Sequence, residues 1–267
     1  RSLQAGLEQI NARAVVPSVT KVTNVHSALS EHLNATIYDV EAFGSVPEII
    51  NHRVTEGIED ASFLVTDLTP VVEQFDQWNR ELPMVEPFYA VKCNPDPVIV
   101  RLLATLGCGF DCATKGEIEM VTNGLGDELS FAPRGIQHDK IVYANPAKFR
   151  SHLEFAAQTG VRRTVFDGED ELYKLAAVND TLPEGEKLEL LLRITTDDAQ
   201  SVCSFSNKFG CPVANGPDLL AIAQDLGLNV VGVSFHVGSG CGDPNAYSTA
   251  FDHAAKLFEA ADKLGMP

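Results

Sequence analysis

The sequence predicts an α/β fold, a (β/α)8 TIM-type barrel that is incomplete in these 267 residues, with about six of its eight units present. Three observations carry that expectation. Runs such as "PFYAVK", "KLELLLRI" and "VVGVSFHVG" are apolar on both faces, as parallel strands covered by helices must be. Each is followed by a stretch whose apolar residues recur at helical spacing. The alternation then repeats without interruption, which favours a barrel over a doubly wound sheet, although pattern alone leaves the latter open.

Residues 1–60 show no clean period, and "TIYDVEAFGSVPEII" has room for a short strand and a turn. From Ala61 the pattern is regular, so the chain divides into an N-terminal segment, 1–60, and a barrel segment, 61–267. "SFLVTDL" reads as a strand. "TPVVEQFDQWNREL" reads as a helix capped by Thr69, with Pro70 in its first turn and Val71, Val72, Phe75, Trp78 and Leu82 on one face. After the strand "PFYAVK" comes a helix capped by Asp96 and opened by Pro97, with Val98, Ile99, Leu102, Leu103 and Leu106 inward. The next strand–helix pairs are "CGFDCA" with "TKGEIEMVTNG", "KIVYAN" with "AKFRSHLEFAAQTG", and "RRTVFD" with "GEDELYKLAAV". "KLELLLRI" leads through a long loop to "PDLLAIAQDLG", and "VVGVSFHVG" leads to "DPNAYSTAFDHAAKLFEAADKLG", where Asp243 as cap and Pro244 in the first turn repeat the cap-and-proline start. Gly107, Gly160, Gly227 and Gly265 stand where left-handed residues close helices. A seventh strand is expected after "KLGMP", and an opening Arg1 in place of Met points to processing or to a fragment.

Composition narrows the function. A chain 45% hydrophobic can build one large core or two smaller ones. A formal net charge of −17 argues against nucleic acid and anionic membrane surfaces, and weakly suits cationic small molecules. Cys93, Cys108, Cys112, Cys203, Cys211 and Cys241 show no C-x-x-C spacing, so reduced thiols in a cytosolic protein are expected, and no metal site. No apolar stretch approaches the ~18 residues of a membrane span. The opening "RSLQAGLEQINARAVV" lacks the apolar core of a secretory signal, and Glu8 counts against a transit peptide.

In a barrel of this kind, chemistry sits at the C-terminal ends of the strands. Those ends carry Lys92 with Asn94, Asp111 with Cys112, Asn145, Asp167, Arg193, and His236 with Ser239. Ordinary roles account for some of them: Asp167 precedes a helix as an N-cap would, and Thr114 with Glu117 fits a capping box. Lys92, Arg193 and His236 have no such explanation, because each closes an otherwise apolar run and all three ends converge on one mouth. An amine partly buried in a cleft becomes a nucleophile. In "HVGSG", glycines flank Ser239, which lets backbone N–H groups and a hydroxyl approach an anion closely, though the same tripeptide is also an ordinary turn. A lysine, a flat ring and an anion site together fit pyridoxal 5'-phosphate, which needs an amine, a stacking partner and a phosphate cradle.

The segments "FYAVKCN", "GCGFDCATKGEI", "IVYANP", "LLLRITTDD" and "VVGVSFHVGSGC" closely resemble the eukaryotic ornithine decarboxylases, pyridoxal-phosphate enzymes of the alanine-racemase-like barrel fold. The likeness covers residues 61–267 in family order, and "FDCATK", "YANP" and "HVGSGC" point away from the diaminopimelate decarboxylases. The resemblance implies that Lys92 carries the cofactor as an imine and that His236 stacks on the pyridine ring. It implies that Ser239 binds the phosphate, and that Asp111, Glu117 and Arg193 line the cofactor. The implied reaction is decarboxylation of L-ornithine to putrescine, the first step of polyamine biosynthesis. It would run in a cytoplasmic homodimer open to an antizyme-type regulator.

The resemblance also implies parts that these residues lack. They are a glycine-rich phosphate loop at the seventh strand, an acidic partner for the pyridine nitrogen at the eighth, and a C-terminal β domain. That domain would give a cysteine and an aspartate to the partner's site and would pack with residues 1–60, so the fragment alone is expected to be inactive. "GLGDELSFAPRGIQHDK" is longer than the family pattern, as a surface insertion or translated non-coding sequence would make it. Two other readings stand beside the main one: a catalytically dead, antizyme-inhibitor-like binding protein, and a decarboxylase of lysine or arginine. Retention of Lys92, Asp111, His236 and Ser239 favours an active enzyme.

Overall fold

The structure, a computed structural model, describes residues 36, 38, 40–57, 62–122 and 138–266. In chain order its main elements are α1 (Val40–Phe43), α2 (Val46–Thr55), α3 (Thr69–Glu81), β1 (Phe88–Ala90), α4 (Pro97–Leu106), β2 (Gly109–Cys112) and α5 (Lys115–Thr122). They continue as β3 (Ile141–Tyr143), α6 (Arg150–Gln158), β4 (Arg163–Phe166), α7 (Glu169–Asn179), β5 (Glu189–Arg193) and β6 (Ser201–Cys203). The last are α8 (Gly216–Asp225), β7 (Asn229–Ser234), β8 (Ser239–Cys241) and α9 (Asn245–Leu264).

One sheet takes its strands in the order β1-β2-β3-β4-β5-β7, and the pairings from β2 through β7 are parallel. The order follows the chain and never reverses. A doubly wound sheet needs such a reversal to make its crevice, whereas a (β/α) barrel adds each new strand beside the last. The alternative left open by the sequence pattern is thereby closed.

The described residues pack as two units. The first comprises those within Arg1–Tyr89 together with Cys93–Gly109. Here the Asp96 carboxylate accepts the N–H groups of Val98 (2.8 Å) and Ile99 (3.4 Å), and Gly107 closes α4 at φ +92°, both as the sequence led us to expect. Gly109 has a different reason to be glycine: a Cβ there would lie 2.6 Å from the Phe88 ring. The second unit comprises Ala90–Lys92, Phe110–Thr122 and the chain from residue 138 on. Its core is built from Leu190 and Leu192 of β5, Phe166 of β4, and Leu172, Leu175, Leu220 and Leu257 from the covering helices. Leucine at helical spacing thus meets apolar strand residues, and each buried leucine side chain is worth about 1.5–3 kcal/mol.

Several local expectations are corrected. "SFLVTDL" forms no strand: residues 62–68 find no ladder partner among the described residues, and Leu64 is 97% exposed. Its apolar pattern suits a strand, but a strand also needs a neighbour to take its backbone hydrogen bonds. Around "TIYDVEAFGSVPEII" the described residues form α1 and α2 joined by Gly44 at φ +89°, with no strand. Thr69 is the first residue of α3 and not its cap; its N–H donates to the Asp67 carboxylate at 2.9 Å, one residue pair upstream. Of the residues read on one face of this helix, Phe75 is buried, whereas Trp78 and Leu82 are 39% and 44% exposed. Asp167 does not cap α7, whose cap position is Gly168; its carboxylate accepts the N–H of Gly210 at 2.7 Å. Most of the long segment "GLGDELSFAPRGIQHDK" lies outside the described residues.

Inside the second unit a buried ion pair ties two strand ends. Lys148 Nζ donates to the carbonyls of Asn145 (2.9 Å) and Val165 (2.6 Å), and sits 2.8 Å from Glu171 Oε1 with its side chain fully buried. Burial lowers the Lys148 pKa, and the Glu171 charge opposes that shift. Glu171 also accepts from Lys174 Nζ at 2.5 Å, so loss of Lys148 takes one of two cations from a buried carboxylate and leaves the carbonyls of Asn145 and Val165 without that donor. Lys148→Met should therefore cost about 3 kcal/mol in urea unfolding. A loss below about 1 kcal/mol would show that Lys174 alone satisfies Glu171.

Candidate active site

The C-terminal ends of the strands gather the charged residues singled out in the sequence. Arg193 is the last residue of β5, in register with Ser234, the last of β7. Asp111 lies one residue from the end of β2. Lys92 and His236 sit just past their strands: Lys92 in the 3-10 turn Val91–Cys93, and His236 two residues beyond β7. The strands are shorter than the apolar runs suggested. Ladder pairing stops where the side chains leave the sheet.

Their mutual influence shows that these groups share one electrostatic environment. Burial raises the Asp111 carboxyl pKa; Lys92 and Arg193 pull it down and Glu117 pushes it up. Burial also lowers the pKa of Arg193, against the opposing pull of Asp167 and Asp111. His236 is lowered too, by burial first and then by Arg193 and Lys92, with Asp198 opposing. The His236 Nδ1 accepts the N–H of Gly238 at 2.9 Å, so the neutral ring carries its proton on Nε2.

Two groups at these strand ends stand apart by their partners. Asp111 Oδ1 is buried and has no hydrogen-bond partner among the described residues, a state that costs stability unless a ligand supplies the partner. Lys92 is exposed rather than partly buried as the sequence argument had it, and its amine takes no partner among the described residues. A carboxylate awaiting a donor beside an uncommitted amine fits an aldehyde-bearing aromatic cofactor.

Other sequence candidates have structural work. Glu117 N–H donates to Thr114 Oγ1 at 3.2 Å, which is half of the expected capping box; its Oε2 accepts the N–H of Ala113 at 2.6 Å, one residue before the cap, while its charge raises the Asp111 pKa. Asn94 and Asn145 accept backbone N–H groups two residues on, at 3.1 and 3.2 Å, and shape turns. Ser239 opens β8, which pairs antiparallel with β6 in a ladder that the sequence did not reveal. The glycines beside it serve that ladder: a Cβ on Gly238 would lie 2.4 Å from Ser201 Cβ, and one on Gly240 2.9 Å from Val202 Cγ2. Sequence reasoning also missed Thr196, Asp198, Phe205, Ser206 and Phe209, whose contacts reach Arg193 and His236. The four-residue spacing of the two phenylalanines in "FSNKF" was the available signal.

Comparisons with known proteins bear on the family and the fold. The family model for the pyridoxal-dependent decarboxylase, pyridoxal binding domain, matches residues 68–267. The ornithine decarboxylase of Caenorhabditis elegans is 45% identical over 207 residues, covering 77% of this chain and 45% of that protein. Antizyme inhibitor 2 of Xenopus laevis is 42% identical over 82% of this chain and 44% of its own length. Among solved structures, the Paramecium bursaria Chlorella virus arginine decarboxylase superposes with a TM-score of 0.72 at 31% identity, covering 82% of this chain and 55% of that one. The chain spans about half the length of the curated relatives it matches, 45% in the first case.

The raised Asp111 pKa has a consequence for stability. The folded state holds this proton more tightly than the unfolded chain does, so the ionised carboxylate weighs against the empty fold near neutral pH. That cost fades as pH falls through the raised folded value. Asp111→Asn should stabilise the ligand-free protein by about 1 kcal/mol near neutral pH, and the gain should shrink by about pH 4. Urea titrations at the two pH values test this. A less stable variant near neutral pH would mean that the carboxylate is already compensated.

Proposed function

The chain belongs to the pyridoxal-dependent decarboxylases, whose pyridoxal binding domain it matches over residues 68–267, and from that membership we propose that the protein decarboxylates L-ornithine to putrescine with pyridoxal 5'-phosphate. The observation that carries the reading is the pairing of an uncommitted amine, Lys92, with the unpartnered buried oxygen of Asp111 at one set of strand ends.

In this reading Lys92 Nζ would hold the cofactor through its aldehyde and would be placed to carry a proton. The His236 ring would stack on the pyridine; its Nδ1 accepts the Gly238 N–H, which leaves the ring proton on Nε2. Asp111 and Arg193 would line the cofactor from β2 and β5, Glu117 would add its charge from α5, and Ser239 would donate to the phosphate. Bound there, the cofactor supplies the electron sink that lets an α-carboxylate leave as carbon dioxide. Partial desolvation at Asp111 and Arg193 strengthens their interactions relative to water.

Ornithine as substrate is supported by the names of the curated relatives, and the acidic charge balance suits a cationic amino acid. Polyamine biosynthesis follows from that product. A homodimer in the cytoplasm completes the proposal. In its support, the six cysteines are free thiols, and no helix among the described residues is long and apolar enough to cross a membrane. The likeness to antizyme inhibitor 2 favours a second reading, a regulatory binding protein without activity. Cofactor uptake separates the two.

Borohydride reduction of the cofactor-loaded protein, followed by peptide mapping, should place the pyridoxyl group on Lys92; label elsewhere with Lys92 unmodified would sink the assignment. In the full-length protein, carbon dioxide release should be faster from L-ornithine than from lysine or arginine. There too, the His236→Phe variant should keep more cofactor affinity and activity than His236→Ala, because a flat ring is what the site needs. Equal and complete loss in both would favour a protonic role.

A further inference from the structure

Arg193 and His236 stand at the ends of different strands, yet one short turn reaches both side chains. Residues Phe205–Phe209, "FSNKF", form a turn closed by the N–H groups of Lys208 and Phe209, which donate to the Phe205 carbonyl at 2.9 and 3.0 Å. The Phe205 ring meets His236 edge to face, with centroids 4.8 Å apart. Four residues on, the Phe209 ring lies 5.0 Å from the Arg193 guanidinium carbon. Neither ring belongs to the buried leucine-rich core. Both are placed against polar groups at the strand ends.

The turn is pinned. Asp198 is 7% exposed, and its Oδ2 accepts the N–H groups of Phe205 and Ser206 at 2.5 and 2.9 Å. Ser206 Oγ accepts the Thr196 N–H at 3.1 Å and donates to the Thr196 carbonyl at 2.7 Å. Thr196 Oγ1 in turn donates to the His236 carbonyl at 2.7 Å. The backbone and the ring of His236 are therefore both held from the same turn. On the other side, Gly210 donates its N–H to Asp167 at 2.7 Å, and a Cβ on Gly210 would lie 2.6 Å from the Ile194 carbonyl carbon, so the exit from the turn is fixed as well.

We propose that Phe205 and Phe209 are positioning residues of the cofactor site: through one turn anchored by Asp198 they orient the His236 ring and the Arg193 guanidinium to receive pyridoxal 5'-phosphate. The inference rests on the reading of His236 and Arg193 as cofactor contacts. An edge-to-face neighbour sets the tilt of a ring, and an aromatic face steadies a partly desolvated guanidinium. Leucine in either place would keep the apolar bulk and lose both effects.

The test uses the purified full-length protein and phosphate-free buffer with pyridoxal 5'-phosphate. Phe205→Leu and Phe209→Leu should each weaken cofactor affinity about fivefold and reduce the visible circular dichroism of the bound cofactor. The melting point of the cofactor-free protein should move little. Tyrosine at the same positions restores a ring and should restore both affinity and dichroism. Unchanged affinity and dichroism in the leucine variants, with wild type binding cofactor, would overturn the proposal. So would a loss that tracks a lower melting point and that tyrosine does not rescue. A wild-type protein that takes up no cofactor would overturn the underlying reading of the site instead.

Discussion

A parallel sheet covered by helices can carry charge only where its strands end, and the rest of this structure depends on that constraint. In β4 the consecutive residues Thr164, Val165 and Phe166 are all buried, so both faces of the strand are closed to water. An ion in the middle of such a strand would lose its hydration with no partner to replace it. Charges are thus driven to the two rims, and the rims differ. At the N-terminal rim Arg163 and Glu189 face each other in register and pair at 2.8 Å. At the C-terminal rim Asp111 and Arg193 influence each other through space, and the carboxylate keeps a buried oxygen without a partner. One rim is closed by an ion pair; the other keeps an unpartnered carboxylate oxygen.

The contrast with Lys148 sharpens the point. That lysine is more deeply buried than any group of the site, yet it is fully engaged by two carbonyls and by Glu171. Its burial is structural: it ties the loop after β3 to β4. Lys92, which the sequence singled out, is exposed and uncommitted. Burial alone does not mark a functional lysine here. The distinguishing feature is whether the surrounding groups already satisfy it.

The long connection after β5 links the fold to the proposed chemistry. It contributes β6, which pairs with the segment carrying Ser239, and the turn that holds Arg193 and His236. Its own order comes from short polar contacts made by Thr196, Asp198 and Ser206 rather than from apolar burial. Such contacts bring directional control at modest stabilisation, about 1 kcal/mol each, which suits an element that must aim side chains more than it must hold a core together.

Much of this was legible from residues alone. Apolar runs marked the six sheet strands, although burial alternates along β5 and leaves Val231 of β7 39% exposed, and Asp96-Pro97 and Gly107 marked a helix whose caps are local in sequence. The residues at the strand ends were readable for the same reason: a charge closing an apolar run is conspicuous. The sequence could not decide whether "SFLVTDL" would find a ladder partner, or that Asp167 would turn from its own helix to Gly210, 43 residues away. Nor could it reveal that β8 pairs with β6, or that Phe205 and Phe209 leave the core for His236 and Arg193. Periodicity and caps are set by neighbours within a turn or two of chain, so the sequence by itself determined the elements and the candidate groups. Pairing, exposure and side-chain partnership depend on residues distant in sequence, and only the tertiary structure decided those.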